Sequence, residues 1–204
     1  MRIVMLQNRT IASALPVAEP CEALTGFYVI DPVHSRVGFS VRHAMGSQLH
    51  GAFGSFEGLL VLDGLRPSRS EAFLTVEAES LDTGLGERDA LLTGSGMFDA
   101  AAFPQVTFHS TGVVRDGDHG FRLRGILKIK DVERPLTMDV TFGGARRDTL
   151  GLSWVGFEGT ATLDLSDWGL SGVGPSAGGP GGCADVSLRL VISAVQVFHR
   201  PPPA

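Results

Sequence analysis

The chain has 204 residues, of which 43% are apolar and 19% charged, with a net charge of −5 and a pI near 5.6. This balance excludes a nucleic-acid partner, because phosphate-binding proteins carry basic patches and Arg146-Arg147 is the only adjacent basic pair. No apolar run approaches the roughly 18 residues that a membrane-spanning helix needs, so the sequence predicts no integral membrane segment.

Residues 1–26 are predicted to form an extended, mobile leader before the folded domain. Met1–Leu6 begins like a secretory signal, but Gln7–Arg9 interrupts the apolar region and no small-residue cleavage site follows. We therefore expect a cytoplasmic protein, with export as the alternative. Cys21 and Cys183 lack metal-ligand spacing and leave two states open, one disulfide or two free thiols.

From Phe27 onward, apolar and polar residues alternate between short Gly, Asp and Pro interruptions. This period of two predicts consecutive strands of an all-β fold. The opening strand carries Val37, Phe39 and Val41 on one face, which we expect to point into the fold.

The second strand run, residues 51–62, contains three glycines. Phe53 and Phe56 would point to opposite faces of a regular strand, so a bulge near Gly54 is needed to turn both inward. The third strand is predicted to place three apolar side chains inward, namely Leu74, Val76 and Ala78.

Residues 87–93 have the best helical pattern in the chain, with acidic residues near the start and Gly94 directly after the end. Phe98 and Phe103 lead from this helix into a strand in which Val106 and Phe108 face the same way. Further strands are predicted over residues 121–130, 135–142, 152–163 and 186–192, with residues 131–134 as a hairpin connection.

These eight or nine strands predict one closed antiparallel barrel over residues 27–198, followed by a Pro-rich tail, 199–204. Closure removes the exposed strand edges that invite aggregation. Residues 171–182 are almost all Gly, Pro, Ser and Ala, and we expect a mobile loop there. A barrel of this size has room inside for packed side chains or one small ligand.

One long segment and a series of short motifs follow one another along the chain. The long segment is Tyr28–His43, YVIDPVHSRVGFSVRH. The motifs are Gly51, Phe53, Phe56 and Gly58, then Asp82-Thr83 and Arg88-Asp89, then Phe98-Asp99 and Phe103-Pro104, and last Arg134-Pro135. In this order, over residues 27–195, they resemble the YceI-like family of polyisoprenoid-binding proteins.

The resemblance implies an extended eight-stranded, lipocalin-like barrel with an elongated apolar pore for a long isoprenoid or a similar amphiphilic, fatty-acid-like lipid. It implies binding, storage or transport, and it is compatible with a homodimer. The chain departs from the family pattern at Ala90 and at Asp164–Ser166, and its Gly-rich loop is longer. These departures affect contacts to a polar head group more than the barrel.

The pore is expected to be lined by inward side chains of several strands and of the segment after the helix. The predicted ligand-binding residues are Val37, Phe39, Val41, His43, Phe53, Phe56, Leu74, Val76, Phe98, Phe103, Phe108 and Phe157. Strict alternation places His43 near a pore end and His34 outside or in a turn. Arg42 and Arg88 are the head-group candidates, and Arg88-Asp89 also fits a bracing role beside the helix.

The sequence shows no catalytic motif in the structural context that its chemistry needs. Ser35 follows His34 directly, and adjacent strand residues point apart, so the two do not form a nucleophile and base. His-Glu-x-x-His does not occur, and the Gly-x-Ser-x-Gly match, Gly174–Gly178, lies in the Gly-rich loop and not between a predicted strand and a helix. We predict a non-enzymatic protein without a cofactor or metal. The alternative is a haem- or metal-binding barrel that uses His43 or His109, which a Soret band would reveal.

Overall fold

The computed structural model describes residues 24–42, 48–170 and 185–197. The strands are β1 Gly26–Ile30, β2 Arg36–Arg42, β3 Gln48–Phe53, β4 Phe56–Leu62, β5 Glu71–Glu77, β6 Leu81–Asp82, β7 Gln105–Arg115, β8 Gly120–Ile129, β9 Val132–Arg147, β10 Ser153–Asp164 and β11 Asp185–Val197. One α-helix, α1, spans Gly86–Thr93, and 3-10 segments lie at Pro67–Arg69, Ala78–Ser80 and Leu165–Trp168. Among the described residues, no helix is long and apolar enough to span a membrane.

The strands form one antiparallel sheet that closes on itself, because β1 pairs with both β4 and β11. Three pairs of short strands each act as one bent strand. The first bent strand consists of β1 and β2, and both parts pair with β11. The second consists of β3, which pairs with β2, and β4, which pairs with β1. The third consists of β5, which pairs with β4, and β6, which pairs with β3. The ring therefore has eight strand positions, which confirms the predicted eight-stranded barrel with one short helix near residues 87–93.

The three bent strands change their inward face where they break. In the first, Tyr28 and Ile30 are buried before the break, and Val37 and Val41 are buried after it. The break between β3 and β4 lies at Gly54, whose N–H donates to Ser80 O at 2.9 Å. The irregularity predicted near Gly54 is a break between two strands and not a bulge, and Phe56 on its far side is buried without lining the cavity. The limits of the break between β1 and β2 were not predicted, although a turn was one of the two positions expected for His34.

The turn between β1 and β2 is held by short polar side chains. Asp31 accepts a hydrogen bond from Val33 N at 3.0 Å and pairs with His34 Nδ1 at 2.5 Å. Ser35 Oγ donates to Ser193 O at 3.1 Å and accepts from Ser193 N at 2.9 Å, so it replaces the missing ladder bonds to β11. The hydrogen bond with His34 lowers the pKa of Asp31 from its ordinary value. His34 is exposed in this turn, as predicted.

Two predicted boundaries are wrong. The β8–β9 connection is not residues 131–134, because Ile129 already pairs with Val132. Lys130 has a φ of 58°, and this left-handed conformation makes a two-residue turn possible. β9 also continues beyond residue 142 to Arg147, through a bulge where Gly144 has a φ of 124°.

Arg88 and Asp89 brace the start of α1, as predicted for this pair. Arg88 Nε donates to Thr83 Oγ1 at 2.7 Å, and its terminal nitrogen donates to Thr83 O at 2.8 Å. Asp89 Oδ1 accepts from Thr83 N at 3.0 Å and from the Thr83 hydroxyl. These bonds tie the helix to the strand end that precedes it.

Parts of the predicted domain organisation lie outside the described residues. They are most of the leader 1–26, the loop 171–182, the tail 199–204, and both cysteines. The barrel starts at Gly26, close to the predicted start at residue 27. The domain limits stay a prediction.

Candidate functional site

The barrel encloses a cavity of about 740 Å³. This volume lies within the range of about 300–1,000 Å³ that is typical of small-molecule sites. The cavity follows the barrel axis, since its lining includes residues near both ends of the strands. The interior is therefore not filled by its own side chains.

Most of the predicted pore residues line this cavity. They are Val37, Phe39, Val41, Phe53, Leu74, Val76, Phe98, Phe108 and Phe157. Several of them touch one another: the Phe39 and Phe53 ring centroids are 5.8 Å apart, and Phe53 and Phe98 meet edge to face at 6.3 Å. Their contact with a ligand stays a prediction.

Three of the predicted pore residues and the head-group candidate Arg42 are not placed at the cavity. Phe56 is buried in the hydrophobic core beside the β3–β4 break but does not line the cavity. Phe103 lies away from it, because a turn at Asp99, with a φ of 49°, redirects the chain and sets Lys130 Nζ 5.8 Å from the Phe103 ring. His43 and the Arg42 side chain lie outside the described part of the chain.

Sequence reasoning missed the lining residues of three strands. β8 contributes Leu123 and Leu127, β9 contributes Leu136 and Met138, and β11 contributes Leu188, Leu190 and Ile192. All three strands were predicted in part, and the same alternation that identified Phe39 and Val41 marks these side chains as well. The inward side chains of β8, β9 and β11 can therefore be identified from the sequence by the same alternation.

Four glycines on the inner wall leave room for large side chains of the neighbouring strands. A Cβ at Gly51 would lie 2.3 Å from Cζ of Phe39, and a Cβ at Gly125 would lie 2.3 Å from Cζ of Phe108. Gly58 and Gly159 have the same relation to Ile30 and Met138, at 2.5 and 2.7 Å. Because these four positions lack a Cβ, the large side chains stay near the wall and the space between them stays open.

The two ends of the cavity differ in chemistry. The hairpin end contains the β4–β5, β7–β8 and β9–β10 connections, and its polar lining residues are Asp63, Ser70, Glu71, Arg115, Asp118 and His119. The α1 end contains α1 and the Leu165–Trp168 segment, and its described lining residues include Leu81, Leu92, Phe98, Ile129 and Leu165. Among the described lining residues, all the charged side chains therefore lie at the hairpin end, together with apolar ones such as Leu62, Phe121 and Phe142.

Arg88, predicted as a head-group candidate, does not line the cavity. Its guanidinium donates hydrogen bonds to Thr83, and these bonds stabilise the start of α1.

The alternative of a haem or metal site gains no support from the described residues. His109 is exposed on the outer face of β7, because Phe108 beside it points inward. In the ranges 24–42, 48–170 and 185–197, no three His, Cys, Asp or Glu side chains are grouped as metal ligands. His109 is therefore wrongly placed to be an axial ligand inside the barrel.

Comparison with known proteins gives one family. Residues 28–194 match the family model described as YceI-like domain. A UPF0312 protein of Pseudomonas savastanoi pv. phaseolicola (strain 1448A / Race 6) is 33% identical over 177 residues, which cover 85% of this chain and 92% of the relative. The match extends over the barrel strands from β1 to β11.

Solved structures share the fold at lower identity. Burkholderia cenocepacia BcnA aligns with a TM-score of 0.68 and 22% identity, over 80% of this chain and 98% of that chain. A polyisoprenoid binding domain from Saccharophagus degradans, implicated in plant cell wall breakdown, aligns with a TM-score of 0.61 and 15% identity, over 83% and 98%. At these identities the similarity shows the fold alone.

Proposed function

The chain belongs to the YceI-like family, and from this membership and the open barrel we propose that it binds an isoprenoid or a similar long-chain amphiphilic lipid without catalysing a reaction. The single observation that carries the proposal is the apolar cavity of about 740 Å³ along the barrel axis. Storage and transport are both compatible with such a site. Its cytoplasmic location and a homodimeric state stay predictions.

Burial of a hydrocarbon tail supplies enough free energy for this function. Each buried methylene contributes about 0.8 kcal/mol, so a tail of roughly 20 carbons contributes on the order of 16 kcal/mol before the costs of association. Those costs are about 4 to 15 kcal/mol. A net affinity remains, and no covalent bond or metal is needed.

Two further observations support binding over catalysis. The Saccharophagus degradans domain that shares this fold is described as a polyisoprenoid binding domain. In this chain, the adjacent His34 and Ser35 hold the β1–β2 turn and its bonds to Ser193, so they do not form a nucleophile and base. Both side chains have a structural role.

The proposal is tested by solvent extraction and native mass spectrometry of freshly purified protein. We expect a long apolar molecule to be released from the wild type and to be absent from the Phe108→Asp variant, which places a carboxylate in the cavity wall. His109→Asp is the matched control, because it adds the same charge one residue away on the exposed outer face. We expect this variant to keep the molecule.

Circular dichroism of both variants must show the β spectrum of the wild type. A wild-type protein that releases no apolar molecule, and that also fails to take up an added prenyl alcohol, would overturn the proposed function.

A further inference from the structure

Two connections at the hairpin end carry leucines that the fold leaves exposed. Leu65 lies in the β4–β5 connection and is 64% exposed, and Leu150 lies in the β9–β10 connection and is 84% exposed. In the sheet order, only β1 and β11 separate these two hairpins, so both leucines belong to the same rim of the barrel. Two exposed leucines on one rim form an apolar surface that the described chain does not cover.

Arginines flank both leucines. Arg66 and Arg69 follow Leu65 in the chain, Arg146-Arg147 precedes Leu150, and all four arginines are exposed. A guanidinium beside an exposed apolar side chain is typical of surfaces that contact anionic lipid head groups.

The carboxylates within the same two tips face into the hairpins. Asp63 is half-buried, accepts from Arg66 N at 2.8 Å and lies 3.7 Å from Arg66 Nε. Asp148 is also half-buried and accepts from three donors of its own hairpin, among them Leu150 N at 2.9 Å and Trp154 Nε1 at 3.0 Å. The outermost groups of the two tips are therefore leucines and arginines.

The charge of the whole molecule distinguishes the two ends. The three hairpins, residues 63–71, 113–122 and 139–154, contain six arginines and six carboxylates. The described residues at the α1 end, 77–105, 128–134, 164–170 and 185, contain eleven carboxylates and only four cations, a net charge of −7. An anionic surface therefore repels the α1 end and orients the hairpin end toward itself.

The acidic β7–β8 turn is set back from the tip of the β9–β10 hairpin. Phe142 N donates to His119 O at 2.8 Å, which places this turn level with residue 142, whereas β9 continues to Arg147. Asp116 and Asp118, in the β7–β8 turn, therefore do not precede Leu150 and its arginines at a surface that the hairpin end approaches.

The cavity reaches the same two hairpins. Its lining includes Gly64 and Pro67, which lie on either side of Leu65 and Arg66, and residues 143–145 at the end of β9. A surface that covers the two leucines is therefore the surface that faces this end of the cavity.

We propose that the hairpin end docks on the surface of an anionic lipid bilayer, with Leu65 and Leu150 inserted among the head groups and the four flanking arginines next to the phosphates. This docking goes beyond the proposed function, since it needs no ligand in the cavity. It sets one end of an apolar cavity against a reservoir of lipid.

Cosedimentation of the full chain with vesicles of equal parts phosphatidylglycerol and phosphatidylcholine tests the docking. We expect the wild type to bind, and Leu65→Ser/Leu150→Ser to bind at least roughly tenfold more weakly, because two apolar side chains no longer enter the interface. The matched control is Leu85→Ser/Leu91→Ser, which replaces two leucines at the α1 end that are 52% and 74% exposed. This variant should bind within about twofold of the wild type, because the acidic end faces away from the vesicle.

A second pair of variants tests the charge. Arg69→Gln/Arg147→Gln should weaken binding to the mixed vesicles by roughly tenfold and leave the weaker binding to pure phosphatidylcholine unchanged. Lys128→Gln/Lys130→Gln, which removes two cations at the α1 end, should keep the wild-type affinity. Circular dichroism of each variant must show the β spectrum of the wild type.

A wild-type protein that stays in the supernatant, or an equal loss of binding in the two leucine pairs, would overturn the docking. Light scattering after size exclusion identifies the other occupant, a second copy of the chain: a dimer that Leu65→Ser/Leu150→Ser dissociates would assign the leucines to a contact between copies and also overturn the docking. A wild type that binds the vesicles but releases no apolar molecule and takes up no prenyl alcohol would support the docking and overturn the proposed function.

Discussion

The two ends of this barrel are built from different elements. At the hairpin end, long strands run past the core and turn in charged hairpins, as where the 16-residue β9 meets the 12-residue β10. At the α1 end, helical segments cross the strand ends and bury Trp168 and Leu170, each 3% exposed. Apolar packing is thus concentrated at one end, and exposed polar groups surround the other. We therefore expect the α1 end to contribute more to stability than the hairpin end.

The largest expected effect is a loss of stability on replacing Trp168 at the α1 end. Trp154, at the hairpin end, gives the comparison. Trp168 is 3% exposed, and its Nε1 donates to Leu127 O at 3.2 Å. We expect Trp168→Ala to reduce the free energy of unfolding by about 3 to 5 kcal/mol, because it leaves a cavity and removes the hydrogen bond to Leu127 O. Trp154, half-buried at the hairpin end, is stacked by Arg146 at 5.0 Å and donates to Asp148. Trp154→Ala should cost only about 1 to 2 kcal/mol.

Urea unfolding followed by circular dichroism measures both values. If Trp154→Ala destabilises the protein as much as Trp168→Ala, the two ends contribute equally and the contrast between them is wrong.

A smaller effect is expected inside the barrel, between the two ends. In Gly51→Ala, the new Cβ takes the space of the Phe39 ring, which must turn into the cavity. We expect a loss of about 1 to 3 kcal/mol in stability and weaker binding of long tails, measured by unfolding and by lipid titration. Gly112→Ala is the matched control, since a Cβ at this strand position meets no atom within 4 Å.

Unchanged lipid binding in Gly51→Ala would mean that the Phe39 ring finds another position against the wall. The glycines would then not determine the width of the cavity.

The smallest effect concerns acid stability of the hairpin end. The pKa of Asp148 is lowered chiefly by the hydrogen bond from Trp154, together with those from Leu152 N and Leu150 N. A carboxylate whose pKa is depressed in the folded state stabilises the fold above its unfolded value, about 3.9, and loses this contribution as the pH falls through the folded value. The Tm difference between wild type and Asp148→Asn should therefore shrink below about pH 4.

Thermal unfolding between neutral and acidic pH checks this expectation. Asp131→Asn, in the β8–β9 turn at the α1 end, is the control, and its Tm should follow the wild type across the range. A constant Tm difference for Asp148→Asn at all pH values would contradict the prediction.

Much of the barrel followed from alternation alone. The strand count and the inward faces at Val37 and Leu74 were predicted because a period of two directly encodes a half-buried strand. The helix near residues 87–93 was predicted from its acidic first turn and the glycine after its end. The bulge at Gly54 was predicted because Phe53 and Phe56 otherwise face opposite sides. The limits of the β1–β2 turn were not predicted, because alternation by itself does not mark the residue at which a strand ends.

The polar opening could not be predicted from the sequence. Asp63, Arg115 and Asp118 lie in turns where charged residues are ordinary, and their position over the cavity depends on which connections meet at one end. Alternation identifies pore-facing side chains but not the turns that surround one end of the cavity.

The placement of the aromatic residues determines how binding can be observed. The chain contains two Trp and one Tyr, and Trp154, Trp168 and Tyr28 all lie outside the cavity lining. Among the described lining residues, the aromatic rings are phenylalanines and His119. A guest molecule would enter without touching either indole. Intrinsic tryptophan emission should change little on binding, so a silent fluorescence titration is the expected result for this barrel even when the cavity is full.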